Sequence, residues 1–143
     1  MLFEAAYWHP GQVRPSLEDG LERPDLVYIL SDWGRRGDTA LIAILNDQLV
    51  GAAWYRFWGP EQHSYGYVSP TMPELSIAIK DEYRRQGVGS QLLTAILKTA
   101  KSQGLEGLSL SVEMDNPAVN LYRQHGFRPV QEGENAWTMV AKL

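Results

Sequence analysis

One stretch of the chain limits its architecture more than any other. From Glu74 to Met114 it reads strand, helix, strand. "ELSIAIK" (Glu74 to Lys80) is a short apolar run closed by a charged loop, as expected of a strand. Leu92, Leu93, Ile96, Leu97 and Ala100 then fall at helical spacing, with Lys98 and Lys101 near the end and Gly104 as the stop. "LSLSVEM" (Leu108 to Met114) is the next strand. Two strands joined through a helix of this length lie roughly parallel, connected by a right-handed crossover.

The remaining segments fit around that unit. "TALIAIL" and "LVGAAWYRFW" are strand-like runs on either side of "NDQ", a hairpin signal. Residues Gly59 to Pro73 read as an irregular loop with a short strand at Tyr65 to Val68. "DNPAVNLYRQHGF" is a short helix with Asn116 as N-cap, Pro117 in the first turn and Gly126 as the stop. The tail gives a hairpin, Arg128 to Gln131 against Trp137 to Leu143. Before Gly37 the chain is helical and irregular. Ser16 and Asp19 form a near capping box, and Pro24 opens a helix with Leu26, Ile29, Leu30 and Trp33 on one face. The expectation is an α+β domain spanning residues 1–143, with six or seven strands and about four helices.

Composition removes several functional classes. The chain has no cysteine, which excludes disulfides and thiolate chemistry and makes a cytoplasmic location the default. Its net charge of −4 argues against a nucleic-acid surface. No run approaches the roughly 18 apolar residues of a membrane span. The start, "MLFEAAYWHPG", lacks the form of a signal peptide. The three histidines show no metal-ligand spacing, so no metal is expected.

The functional question concentrates in "DEYRRQGVGSQLL", between the first strand and the helix of the crossover. Such a glycine-bearing turn serves either as a tight chain reversal or as a cradle that aims backbone N–H groups and a helix dipole at an anion. No lysine follows Gly89, so it is not a P-loop, and Leu92 and its neighbours do not supply a dinucleotide fingerprint. Arg84-x-x-Gly87-x-Gly89 does resemble the R/Q-x-x-G-x-G/A acyl-CoA signature of the GNAT acyltransferase superfamily. "NPAVNLYRQHGF", further on, is similar to that family's second motif, and the two stand in the family's order.

The resemblance covers about Thr39 to Leu143 and implies a GNAT fold: a mixed, mostly antiparallel sheet whose two central parallel strands splay apart. It implies acetyl-CoA as cosubstrate and a primary amine as acceptor, with homodimers common in the family. The pyrophosphate would lie on Arg84, Arg85, Gln86, Gly87, Val88, Gly89 and Ser90, with both glycines giving the phosphate access to the backbone. Pantetheine would pair with the backbone of Ile77, Ala78 and Ile79. Asn116 and Asn120 would lie near the cofactor, Asn120 more so because asparagine is a poor mid-helix residue. Tyr122 would act as general acid to the departing thiolate, and Glu74, or a water chain, as base to the amine. A glutamate late in the next strand, used by some relatives, has no counterpart in register here; Glu113 is offset. Trp54, Arg56 and His63 are candidates for the acceptor pocket, Arg56 as a carboxylate ligand between two tryptophans. An alternative is a non-catalytic acyl-CoA sensor or interaction module of the same fold, and a third reading takes a longer acyl donor.

Overall fold

The strand–helix–strand unit forms as expected and sits at the centre of the molecule. The computed structural model describes residues 1–9 and 11–143, with Phe3 and Leu21 described by their backbone alone. Strand β3 (Glu74–Ile79) passes through one 3₁₀ turn at Asp81–Tyr83 into helix α4 (Val88–Ser102), which returns to strand β4 (Gly107–Glu113). Leu92, Leu93, Ile96 and Ala100 form the buried stripe of α4, and Gly104, at φ +78°, lets the chain leave it.

On one side of this unit lies a hairpin of β1 (Thr39–Leu45) and β2 (Gln48–Arg56). Its turn places Asn46 and Asp47 at φ +50° and +61°, as a two-residue hairpin loop demands. On the other side are β5 (Arg128–Glu132) and β6 (Ala136–Lys142), reached through helix α5 (Ala118–Gln124). The six-stranded sheet has the order β1-β2-β3-β4-β6-β5, antiparallel except at β3–β4. Before β1 come three short helices, α1 (Leu2–Ala6), α2 (Leu17–Leu21) and α3 (Pro24–Leu30). The Ser16 hydroxyl caps α2 by accepting from the Asp19 amide at 3.1 Å, and Pro24 opens α3.

The sheet separates two cores. One face packs on α4 and α5 through Tyr55, Leu75, Leu93, Ile96, Leu110 and Phe127. The other packs on the N-terminal helices through Leu2, Tyr7, Leu26, Ala52, Trp54 and Ala78. No helix among the described residues is long and apolar enough to cross a membrane.

Two expectations fail locally. The strand at Tyr65–Val68 does not form: the loop lies over β3 and β4 instead of extending either sheet edge, and only an isolated Ser69–Met72 bridge is present. The apolar face foreseen for α3 is only half used, with Leu26 buried but Leu30 exposed. Trp33, beyond the helix, is also exposed and lies 5.1 Å from the Arg56 guanidinium as a stacking plate.

Candidate active site

The parallel strands β3 and β4 are joined over one residue pair, Glu74 and Ser109, beside a bond from the Ser109 amide to the Pro73 carbonyl at 3.1 Å. Beyond that pair they part, leaving a wedge that opens toward the C-terminal ends of both strands. The Lys80 amide donates to the Val50 carbonyl of β2 at 2.9 Å, which fixes the alternation of the β2–β3 ladder. Ser76 and Ala78 therefore turn their backbone groups to β2, while Ile77 and Ile79 turn theirs into the wedge. Of the three backbones expected to meet pantetheine, that of Ala78 is directed away from the wedge.

At the wide end of the wedge the signature loop enters α4. Arg85 and Gly87 adopt φ +58° and +84°, so the chain coils tightly before the helix begins. Among the described residues, no acceptor receives the backbone N–H of any residue from Arg85 to Ser90; the first amide of α4 with a partner is Gln91, which donates to Gly87. A run of consecutive free amides at a helix N-terminus is a concave anion site. The two glycines serve it differently. Gly87 is required for its positive φ, since a Cβ there would meet nothing within 4 Å. Gly89 allows close packing: a Cβ would lie 3.2 Å from Leu121 Cδ2, on α5, which would have to give slightly.

Of the two arginines of the loop, one is turned inward. Arg84 donates from Nε to the Ile79 carbonyl at 3.0 Å and from Nη1 to Asp81 at 2.8 Å and to the Trp8 carbonyl at 3.4 Å. It braces the loop against the end of β3 and the N-terminal segment. Arg85 is exposed, and Gln86 donates to the Glu82 carbonyl at 2.7 Å. A groove of about 340 Å³ adjoins the loop, lined by Trp8, His9, Arg14, Asp81, Arg84 and Arg85.

At the closed end of the wedge, Glu74 faces the side covered by the N-terminal helices. Its Oε1 accepts from the Gly66 amide at 2.9 Å, whereas Oε2 has no partner, and neither does the buried Ser109 hydroxyl beside it. Burial raises the Glu74 pKa above the usual carboxylate range, against the opposing pull of the Gly66 amide, Ser64 and His63. Trp54, Trp58, Ile29, Ser64 and Ser76 complete a cleft of about 10 Å³ around it, room for about one water. Gly66 is held so close that a Cβ would lie 2.6 Å from the Leu110 carbonyl carbon and 2.7 Å from the Ser111 nitrogen.

Tyr122 belongs to the opposite face, in the core shared with α4, with its ring edge-on to Phe127 at 5.8 Å. Burial raises its pKa well above the usual phenol value. Its hydroxyl has no hydrogen-bond partner among the described residues, yet it is not one of the sealed polar atoms. It remains free to donate. Asn116 accepts from the Ala118 amide at 2.9 Å, the capping role expected of it, and Asn120 is exposed on α5.

Arg56 departs from expectation. Nε and Nη2 form a fork on Asp38 at 2.9 and 2.6 Å, Nη1 donates to the Ile29 and Ser31 carbonyls, and Nη2 also donates to the Asp32 carbonyl. Every guanidinium N–H is thus used inside the protein, between the rings of Trp33 and Trp58. The side chain ties α3 and the following turn to β2 and has no donor left for an acceptor's carboxylate. Burial of Asp38 opposes ionisation, but the Arg56 fork and the Gly34 and Arg35 amides outweigh it, and its pKa lies below the usual value.

His63 is exposed and stacked on Tyr67 at 4.3 Å, and its carbonyl accepts from the Tyr28 hydroxyl at 3.0 Å. His9 bonds Glu113 at 2.8 Å, and these two with Asp115 bring potential ligand atoms within 4.8 Å. That cluster joins residues far apart in sequence, which spacing could not reveal; the ion-pair geometry accounts for it. Gly66 and Ser109 are the site residues that sequence reasoning missed. For Ser109 a signal existed, because "LSLSVE" alternates serine with apolar residues and so marks a polar face on a central strand.

Comparison with known proteins agrees with this geometry. The model of the acetyltransferase (GNAT) family matches residues 5–127. The chain belongs to the GNAT family. Among curated relatives, the N-alpha-acetyltransferase of Sulfurisphaera tokodaii is 40% identical over 78 residues, covering 48% of this chain and 47% of that protein. The N-alpha-acetyltransferase of Saccharolobus solfataricus is 32% identical over 119 residues, 71% of this chain and 68% of that protein. The mycothiol acetyltransferase of Corynebacterium aurimucosum is 30% identical over 135 residues, covering 90% of this chain but only 41% of its own length. This GNAT chain thus spans less than half of several curated relatives it matches. In fold it is similar to the PaiA N-acetyltransferase of Thermoplasma acidophilum in complex with coenzyme A, with a TM-score of 0.71 at 18% identity over 99% of this chain and 88% of that one.

Proposed function

We propose that residues 1–143 act as one N-acetyltransferase domain that moves an acetyl group from acetyl-CoA to a primary amine by direct attack. The observation that carries this reading is the wedge between β3 and β4, with Glu74 on one face of the sheet and Tyr122 on the other. The free amides from Arg85 to Ser90 fit a pyrophosphate, and the backbone of Ile77 with the amide of Ile79 fits the pantetheine amides as an added strand, the Ile79 carbonyl being taken by Arg84. Acetyl-CoA supplies the activated acyl group. The amine nitrogen forms the new C–N bond as the C–S bond breaks, and two protons have to move.

An alkyl amine is mostly protonated near neutral pH, with a pKa of about 10.4, so it must lose a proton before attack. Glu74 takes that proton, directly or through a water in its cleft; a carboxylate whose pKa is raised by burial is a stronger base than an exposed one. The Tyr122 hydroxyl donates to the departing thiolate from the opposite face. Trp54 and His63 border the acceptor side, and Asn116, Asn120 and Arg85 stand at the cofactor's edge. The names of the N-alpha-acetyltransferase relatives support testing peptide α-amines first.

The test is an acetyl-CoA turnover assay against peptide α-amines and small amines, with Tyr122→Phe alongside. The variant should lose roughly 10²-fold or more in kcat with little change in coenzyme affinity. Coenzyme binding without turnover on any amine would replace this reading with the sensor; unchanged kcat in Tyr122→Phe would remove the tyrosine from the mechanism.

A further inference from the structure

The serine of the signature loop is held by a histidine from another helix. His125, just past α5, places Nδ1 2.8 Å from the Leu121 carbonyl. A carbonyl only accepts, so Nδ1 carries a proton. Nε2 faces the Ser90 hydroxyl at 3.2 Å and the Thr94 hydroxyl at 3.4 Å. In the neutral ring Nε2 is therefore the acceptor, with the Ser90 hydroxyl as its nearer donor and Thr94 as the farther one. The Ser90 oxygen then has only lone pairs to offer to the anion-binding turn of which its own amide is part. Protonating the ring reverses the bond: Nε2–H donates to Ser90 Oγ, the hydroxyl proton is released, and a positive charge stands behind the cradle.

We propose that His125 is a positioning residue for the coenzyme pyrophosphate, acting through Ser90, and that coenzyme binding takes up a proton on its ring. The inference rests on the coenzyme reading of the site and adds a pH-linked affinity to it. Among the described residues no carboxylate or cation pairs with the imidazole. The charges on the elements around it are Lys98, one turn beyond Thr94 on α4, with Arg123 and Arg128 at the end of α5, where Arg128 donates to the Arg123 carbonyl at 2.9 Å. Lysine and arginine do not change charge between about pH 5 and 8, whereas histidine does. The other two histidines are engaged elsewhere, His9 with Glu113 and His63 with the Ser64 carbonyl.

Calorimetric titration with coenzyme A lacking its 3′-phosphate tests this. A phosphate monoester itself titrates near pH 6, so that group must be absent from the probe. Binding should be about five- to tenfold tighter at pH 5.5 than at pH 8.0, the difference between a neutral and a charge-assisted hydrogen bond. The measured heat should vary with the ionisation enthalpy of the buffer, showing proton uptake. His125→Gln, which keeps polar groups but cannot change charge, should bind with a flat pH profile, and Ser90→Ala with a shallower slope than the wild type. In the wild-type protein the His125 ring resonance should titrate at higher pH when the probe is bound, which decides the matter even if the variant does not fold. A slope that survives in His125→Gln, an undiminished slope in Ser90→Ala, or a ring titration unmoved by the probe overturns the proposal. A folded wild-type protein that binds neither the probe nor intact coenzyme A at any pH overturns the coenzyme reading instead.

Discussion

Gly66→Ala should be among the most damaging single-methyl additions on this fold, for reasons that can be worked through atom by atom. The new Cβ would lie 2.6 Å from the Leu110 carbonyl carbon, 2.7 Å from the Ser111 nitrogen and 2.8 Å from Glu74 Oε1. The first two are main chain of a central strand held on its other side by β6, so they cannot recede. The loop must lift instead, and it carries the amide that bonds Glu74 with it. Overpacking of this kind costs about 1–3 kcal/mol, and a lost hydrogen bond to a carboxylate about 1.5–3 kcal/mol. For a chain of this size the sum corresponds to a fall in Tm of roughly 8–20 °C. Function changes in a defined direction too. The Gly66 amide opposes the effect of burial on Glu74, so removing it lets the carboxyl pKa rise further. The acid limb of the kcat/KM profile should move to higher pH. Gly59→Ala is the control, because a Cβ there meets nothing within 4 Å and no positive φ is involved. Thermal denaturation and pH–rate profiles of both variants check the reasoning. A Gly66→Ala protein with the Tm and acid limb of Gly59→Ala would refute it.

Three further outcomes are expected. Arg56→Ala leaves the Asp38 carboxylate buried without its cationic partner, and should cost about 3–5 kcal/mol without raising the amine KM where the protein stays folded; a stable variant with a raised KM would return Arg56 to the acceptor pocket. Gly87→Ala forces alanine to φ +84°, at a cost of about 1–2 kcal/mol, and should weaken coenzyme binding, while Gly89→Ala meets only the flexible end of Leu121 and should be milder; equal binding losses would mean that φ is not what the cradle requires. Glu74→Gln removes a carboxyl whose folded pKa is raised above its unfolded value, so the wild-type group stabilises the fold fully below the ordinary carboxylate pKa of about 4.3 and loses that contribution as pH rises through its raised pKa. The variant's Tm should therefore gain on the wild type as pH rises above about 4.3, and a constant offset would show that Glu74 is not proton-linked to folding.

The parts of the site legible in the sequence are those built from consecutive residues. The crossover from Glu74 to Met114 was visible because helical spacing and strand composition are local, and the cradle because a positive-φ turn at a helix start needs glycine at Gly87. Tyr122 followed from a second contiguous motif. What escaped was set by contacts between distant segments. Arg56 looked like a ligand between two tryptophans because nothing in "AAWYRFW" announces that Asp38 and three carbonyls at the end of α3 and just beyond it fold back onto it. Gly66 was read only as part of a short strand at Tyr65 to Val68, since its meaning lies in the closeness of Leu110 and Ser111. His125 was one letter in a helix end, and its link to Ser90 depends on how α5 packs against α4.

This division follows from what each side of the sheet must do. On the α4 side an apolar core fixes the helix whose N-terminus carries the free amides, and the same ligand chemistry calls for the same backbone geometry wherever the coenzyme binds. The signal is therefore short and regular. On the other side the cleft around Glu74 is assembled from α3, the end of β2 and the loop over β4, held by one saturated arginine and one glycine contact. Such a surface can be rebuilt for another acceptor by changing loop length or a few side chains without disturbing the wedge. Arg56 and Gly66 are accordingly better understood as the supports that position a changeable acceptor site than as parts of its recognition chemistry. Acceptor specificity should thus respond to substitutions of the Ser64 and Ile29 side chains, which border the cleft without carrying its framework.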